Sequence, residues 1–167
     1  FYDQFYTFAS YKHDRLWAGQ IPLWNPYTFA GHPFLADVQA AVFYPPGLLT
    51  MLLSGPGTLA PQWLIWEAVA HVYLGAVLTY LLVRYLSRAF ADGLSVSAAL
   101  VSAVTFAFGG YLTGYPPLQL AILETQVWLP LILLLIDVGL RKRQWRWMLG
   151  AGAAWGLALL AGHPQAA

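Results

Sequence analysis

The chain has 167 residues, a net charge of +1 and no cysteine, and 9% of it is charged against 59% hydrophobic, with a mean hydropathy of +0.58. A soluble domain carries about a quarter charged residues. This composition therefore cannot cover a water-facing surface, and it excludes an ordinary soluble enzyme, a disordered segment and a nucleic-acid binder with its basic patch. The absence of cysteine excludes disulfides, a Cys-type zinc site and a thiol nucleophile.

Residues 1–60 are mixed and rich in aromatics, proline and glycine, and we expect an extracytoplasmic loop region carrying short interfacial helices. Phe5, Phe8, Ala9, Leu16 and Trp17 fall roughly on one helical face and Lys12, Asp14 and Arg15 are expected elsewhere, the pattern of a helix lying in the membrane surface. Trp24, Tyr27 and Phe29 suit the headgroup zone. Residues 34–42 can form a second short helix that ends at Tyr44-Pro45-Pro46-Gly47, and 48–53 are too few to cross a bilayer.

Residues 61–167 are the membrane region, in which four apolar stretches follow: 61–83, 94–112, 118–140 and 145–161. A hydrocarbon core takes about 17–25 residues of helix. None of the stretches alternates with a period of two, and open strands cannot cross lipid. The expected fold is all-α, a polytopic bundle of about four spanning helices. Gly75, Gly150, Gly152 and Gly156 suggest close helix packing, and Gly109-Gly110 a helix end. With no initiator methionine and a stop just after an apolar run, the chain reads as a piece of a longer membrane protein.

Six of the eight Lys and Arg lie in two short loops: Arg84 and Arg88 after the first stretch, and Arg141, Lys142, Arg143 and Arg146 between the third and fourth. Both loops fall on one side of a four-helix zigzag, which the positive-inside rule makes cytoplasmic. The N-terminal region, residues 113–117 and the C-terminal end then face outward. Two short strings recur on that side, Gly31-His32-Pro33 with Gly162-His163-Pro164 and Tyr44-Pro45-Pro46 with Tyr115-Pro116-Pro117.

Ionisable residues near a bilayer are candidates for function because burying them is expensive. The outward set is Asp3, Asp14, His32, Asp37, Glu67, His71, Glu124 and His163, while Asp92 and Asp137 are expected to be solvated loop acids at the basic end. Glu67 and His71, four apart, share a helix face. They form either the wall of an outward-opening site or a hydrogen-bonded pair that locks two helices. Glu124, near the outer start of the third stretch, is most simply a wetted interfacial acid. Asp3 can act as a general base on an acceptor hydroxyl or help hold a metal at a phosphate. His32 and Asp37 lack any metal-ligand spacing, so a divalent metal has no motif behind it. No Walker A, GxGxxG or GxSxG string is present.

One string is more specific. Gly19 to Phe34, with Pro22-Leu23-Trp24-Asn25-Pro26-Tyr27 at its centre, then Leu35-Ala36-Asp37-Val38-Gln39 and Phe43-Tyr44-Pro45, closely resembles the first external loop of bacterial YfhO-like membrane proteins, which look like members of the GT-C superfamily of polytopic glycosyltransferases. Gly109-Gly110-Tyr111, Trp128-Leu129-Pro130-Leu131 and Gly162-His163-Pro164-Gln165 extend the resemblance over nearly the whole chain. It implies transfer of a sugar from a polyprenyl-phosphate donor to a cell-envelope acceptor, a glycan or teichoic acid, on the outer face of the bacterial cytoplasmic membrane. It also implies a catalytic aspartate early in this loop, where Asp3 stands, with Asp37 second. On this reading Trp24 and Tyr27 can stack on sugar or isoprenoid, Asn25, Gln39 and Gln165 can bond hydroxyls, and of the two basic residues on this side, Lys12 and Arg15, Arg15 is the better fork for the donor phosphate. His32, Glu67, His71, Glu124 and His163 line the remaining site. The competing reading is a transporter or flippase of lipid-linked saccharides, which needs a polar route through the membrane centre. A purely structural subunit would leave the outward gathering of acids, histidines and amides unexplained.

Overall fold

Every described element is helical in the computed structural model, which describes residues 2–89, 93, 95–114 and 119–166. A π-helical turn, Tyr2–Tyr6, runs directly into α1, Thr7–Trp17. The loop that follows is pinned by a single antiparallel bridge between Asn25 and His32 and by two 3-10 turns, Phe34–Ala36 and Val38–Ala40. Helix α2, Pro45–Leu53, begins on two prolines, whose fixed φ and missing N–H suit the first turn of a helix. The remaining helices are α3 (Gln62–Leu86), α4 (Val96–Phe108), α5 (Gly110–Thr113), α6 (Leu120–Gln126), α7 (Leu129–Lys142) and α8 (Trp145–Leu160).

Among the described residues three helical runs are long and apolar enough to cross a membrane: Gln62–Leu86, Val96–Thr113 and Leu120–Lys142. The second is α4 continued by α5 across Gly109, whose extended ψ of 147° interrupts the hydrogen-bond ladder where the glycine pair predicts an end. The third is α6 continued by α7 across residues 127–128, with Pro130 in the first turn of α7. The fourth apolar stretch is helical as α8, but its 16 residues rise about 24 Å against a hydrocarbon core of about 30 Å. The expected count of four thus becomes three helices of spanning length and a shorter fourth.

Packing explains why these helices need lipid. On α4 the buried residues are Ala99, Ala103 and Ala107, while Leu100, Val101, Val104 and Phe108 stand exposed. On α8 Ala151, Ala154 and Ala158 are buried, and Leu149, Trp155, Leu159 and Leu160 are exposed. Small residues inside and large apolar ones outside is the arrangement of helices that approach closely within a lipid solvent. Helix α3 lies against α4, α6 and α7, and α7 lies against α8 through the tight turn at Arg143, which has φ 50°. A Cβ on Gly75 would stand 3.2 Å from Val127 Cγ1 and 3.3 Å from Phe106 Cε1, so this glycine sets the three-way contact. Gly152 and Gly156 face open space instead, and only ordinary contact separates Gly150 from Leu135 at 3.5 Å, so of the four expected glycines Gly75 alone is closely packed, while Gly139, against Trp147 and Met148, sets the approach of α7 to α8.

The two ends of the bundle are chemically distinct. At one end Gln4 Nε2 donates to Gln39 Oε1 at 2.6 Å, and Gly162 lies against the Val38 carbonyl and Gln39 Cα. Gln126 Nε2 donates to the Ala166 carbonyl nearby. The start of the chain, the 37–41 loop and the C-terminal turn therefore meet. At the other end Arg84, Arg88 and Lys142 share one cleft. The expected common placement of the Asp3 and Gly162 ends, opposite the arginine-bearing turns, is what the fold contains. Asp92 and the Tyr115-Pro116-Pro117 string lie outside the described residues.

Replacing Gly75 with leucine is expected to force α3 off α4 and the start of α7, at about 1–3 kcal/mol for an overpacked interface. A lowered midpoint in thermal unfolding of the detergent-solubilised protein checks this. Gly152→Leu is expected to leave the midpoint unchanged.

Candidate functional site

Positions 8, 12 and 16, spaced by four, fall on one line along the successive turns of a helix that starts at Thr7. That is why Lys12 shares the stripe of Phe5, Phe8, Ala9 and Leu16, and it is buried, 6% exposed. The expected surface-lying helix with Lys12 on its polar side is corrected here. Helix α1 is fastened into the protein by Trp17 Nε1 donating to the Met51 carbonyl at 3.0 Å and by Tyr6 Oη donating to the Leu59 carbonyl at 2.8 Å. His13, fully buried, meets the Gly55 carbonyl through Nε2 at 2.9 Å.

Lys12 points into a cluster assembled from three helices. Glu67 and His71, one turn apart on α3, are both buried, and so is Glu124 on α6. The ligand atoms of Glu67, His71 and Glu124 all lie within 4.8 Å of one another. The carboxyl groups of Glu67 and Glu124 meet within hydrogen-bonding reach, and the Lys12 ammonium acts on both. Lys12 Nζ also makes long bonds, 3.4 Å each, to the carbonyls of Ala40 and Ala41. Gly47 in the first turn of α2 closes the roof: a Cβ there would stand 3.4 Å from Glu67 Oε1 and 3.6 Å from Lys12 Nζ. The Glu67 carboxyl thereby sits beside the positive end of the α2 dipole.

His71 is held on both sides. Its Nδ1–H donates to the Glu67 backbone carbonyl at 2.7 Å, so Nε2 accepts the hydrogen bond donated by the Tyr44 hydroxyl, also at 2.7 Å. This tautomer is assigned from the partners. Tyr44 Oη in turn accepts the Trp128 indole N–H at 3.1 Å. The anticipated Glu67–His71 pair exists through the backbone carbonyl, while the Glu67 carboxyl turns to Glu124 and Lys12. The expectation of Glu124 as a wetted acid is corrected: it is 5% exposed, because α6 turns it inward against α3.

Burial pushes the Lys12 ammonium below its ordinary value, and Glu67 and Glu124 oppose that in part. Burial, with the Glu124 charge behind it, pushes the Tyr44 phenol well above its ordinary value of 10.0, so Tyr44 remains a neutral donor. One ammonium faces two carboxyl groups, which leaves room for one further positive charge, a proton or a cation. Two carboxylates and an imidazole form an oxygen and nitrogen set suited to a divalent ion, and the carbonyl behind His71 Nδ1 is the usual orienting partner of a ligating histidine. A cleft of about 260 Å³ between α2 and α3, walled by Pro46, Leu49, Leu53, Trp63 and Trp66, ends on Glu67 and His71.

The other sequence candidates are distributed around this centre. Asp3 lies in the first π-helical turn, and its side chain is outside the described residues. Asp37 accepts the Gln39 amide N–H at 2.9 Å and lies 3.6 Å from His32 Nε2, so the structure does bring His32 and Asp37 together. His32 is packed among Phe8, Phe29 and Phe34. Asn25 is buried, and its Oδ1 accepts the Tyr27 amide, closing the turn. Trp24 is half exposed and lies over Gly31, where a Cβ would come within 2.9 Å of the indole. Arg15 turns to Tyr11 Oη at 3.1 Å and Gln20 Oε1 at 2.9 Å. Gln165 is exposed, and among the described residues the buried His163 Nδ1 has no partner. Reasoning from sequence ranked Lys12 behind Arg15 as the basic residue of the site and passed over Tyr44 and Trp128 as members of the centre. For Lys12 the signal was present in the helical spacing; for the other two it was not.

No protein-family model, curated protein or solved structure matches the chain.

Lys12→Met leaves two buried carboxyl groups without their cation and is expected to lower stability by about 3–5 kcal/mol. Adding Glu124→Gln to it is expected to restore a large part, which a double-mutant cycle on unfolding midpoints in detergent reads directly. Above pH 10.0 an unfolded tyrosine ionises while the buried Tyr44 keeps its proton, so its contribution, complete below that value, falls as pH rises. The gap in unfolding midpoint between the wild type and Tyr44→Phe is therefore expected to shrink between about pH 9 and pH 11.

Proposed function

We propose that this chain is part of an integral membrane glycosyltransferase that moves a sugar from a polyprenyl-phosphate donor to a cell-envelope acceptor at the extracytoplasmic end of its helices. One observation supports the reading above the others: an apolar cleft between α2 and α3 ends on a buried cluster of Lys12, Glu67, His71 and Glu124. An amphiphilic donor has that same division, an isoprenoid tail and a charged head. The basic residues gathered at the far end of the bundle agree with an outward-facing cluster.

On this reading a carboxylate accepts the proton of the acceptor hydroxyl as its oxygen attacks the anomeric carbon. The bond from that carbon to the phosphate oxygen breaks, and the leaving phosphate takes the electron pair. Lys12 supplies positive charge toward the developing phosphate. Asp3 is the base we favour from the family resemblance. Its neighbour Gln4 is bonded to Gln39, and the Ala40 carbonyl beside Gln39 holds Lys12, so the chain start and the cluster are linked by two short steps. Asp37, already engaged by Gln39 and near His32, ranks second.

The rival, a flippase of lipid-linked saccharides, calls for polar groups along the membrane centre. Beyond His71 the buried polar residues of α3 reduce to Thr79, which counts against it.

The test is transfer by the purified protein in detergent, with a polyprenyl-phosphate sugar and a glycan acceptor present together. Asp3→Asn is expected to reduce transfer by about a hundredfold or more, as for loss of a general base, without altering membrane insertion. Full transfer by that variant would remove Asp3 from the role. Movement of donor across vesicles with no transfer at all would favour the flippase.

A further inference from the structure

The basic end of the bundle contains a second built feature, unrelated to the buried cluster. A cleft of about 360 Å³ lies where the end of α3 meets the end of α7 and the start of α8. Its walls change character along the helices. Toward the bundle middle they are Leu81, Leu134, Leu135 and Val138; toward the helix ends they are Arg84, Arg88 and Lys142. Arg88 and Lys142 are exposed at the mouth. Two aromatic rings flank the cations: Arg88 Cζ lies 5.9 Å from the Tyr85 ring centroid and Lys142 Nζ 5.2 Å from that of Trp147.

The local charge is strongly one-sided. The sequence puts six cations at this end against two carboxylates, Asp92 and Asp137. Asp137 is committed to Arg141, whose Nε donates to Oδ2 at 2.5 Å. Arg84 and Lys142 lie at helix C-termini, where cations are favoured, so the positive mouth is stable without a ligand. The uneven wall goes beyond what orientation alone requires. Positive charge in loops sets topology wherever it lies, but it does not demand that cations from α3, from the 3-10 turn Ser87–Ala89 behind it and from α7 rim one apolar-floored cleft.

We propose that this cleft binds the head of an anionic phospholipid, its phosphate on Arg88 and Lys142 with Arg84 behind them, and its acyl chains along the leucine wall. A phosphate with a hydrocarbon tail matches both halves of the lining, and the cleft opens at the end of helices long enough to reach a headgroup layer. A soluble phosphate would use the rim and leave the apolar wall unfilled.

The experiment is lipid retention by the intact purified protein, read by native mass spectrometry and by the unfolding midpoint, with phosphatidylglycerol and phosphatidylcholine supplied in parallel. Phosphatidylglycerol is expected to be retained selectively and to raise the midpoint, and inorganic phosphate is expected not to displace it. Arg88→Gln with Lys142→Gln should weaken retention about thirtyfold, at roughly fivefold for each cation. Arg143→Gln, exposed at the same end but outside the lining, should change it little. Equal retention of the two lipids by the wild type, which needs no variant to fold, overturns the proposal. So does displacement by inorganic phosphate, or an equal effect of Arg143→Gln.

Discussion

A lysine that cannot reach water governs this structure. Lys12 belongs to the first regular helix, while the acids that compensate it belong to α3 and α6. An isolated ammonium or carboxylate in such a place would be very costly, so each group holds the others where they are. The consequence is architectural. The N-terminal region is not a flap on top of a bundle but a part of its interior, joined through Lys12, Tyr44 and Gly47 to the helices beneath. The same centre gathers the groups that acid–base or phosphate chemistry requires, at the inner end of an apolar groove. Stability, and on the proposed reading chemistry as well, thus depends on one set of contacts.

The helices obey a different solvent. Alanines face inward on α4 and α8 and leucine, valine, phenylalanine and tryptophan face outward, the reverse of a water-soluble bundle. Tail-like side chains gain nothing by leaving lipid, so cohesion comes from close backbone approach and from a few polar links. Thr125 is one such link, bonding the Ala121 carbonyl at 2.7 Å and the Ala158 carbonyl at 3.2 Å and so joining α6 to α8.

Much of this was legible without coordinates, and the reasons differ by feature. Helix existence followed from hydropathy over long windows, because lipid admits no other open backbone. The break at Gly109 was legible because glycine punctuates helices locally. Glu67 and His71 on one face followed from a spacing of four. Lys12 was misplaced because a charge is expected to seek water, although the spacing from Phe8 and to Leu16 set it on the buried stripe. Glu124 and Tyr44 could not be placed, since each joins the centre by packing against residues far along the chain. The extent of α8 was legible, the expected 145–161 against Trp145–Leu160, and what was overread was its reach, because 16 residues rise about 24 Å against a hydrocarbon core of about 30 Å.

That short helix has an effect on its surroundings. Beside the 23-residue run of α6 and α7, a 16-residue α8 presents a hydrophobic height about 6 Å below that of an ordinary bilayer interior. Lipids along this flank must shorten or tilt to meet it, at fractions of a kcal/mol per ångström of mismatch. The molecule therefore carries a thin side and a thick side, and membrane thickness becomes a variable to which its orientation and its choice of neighbours respond.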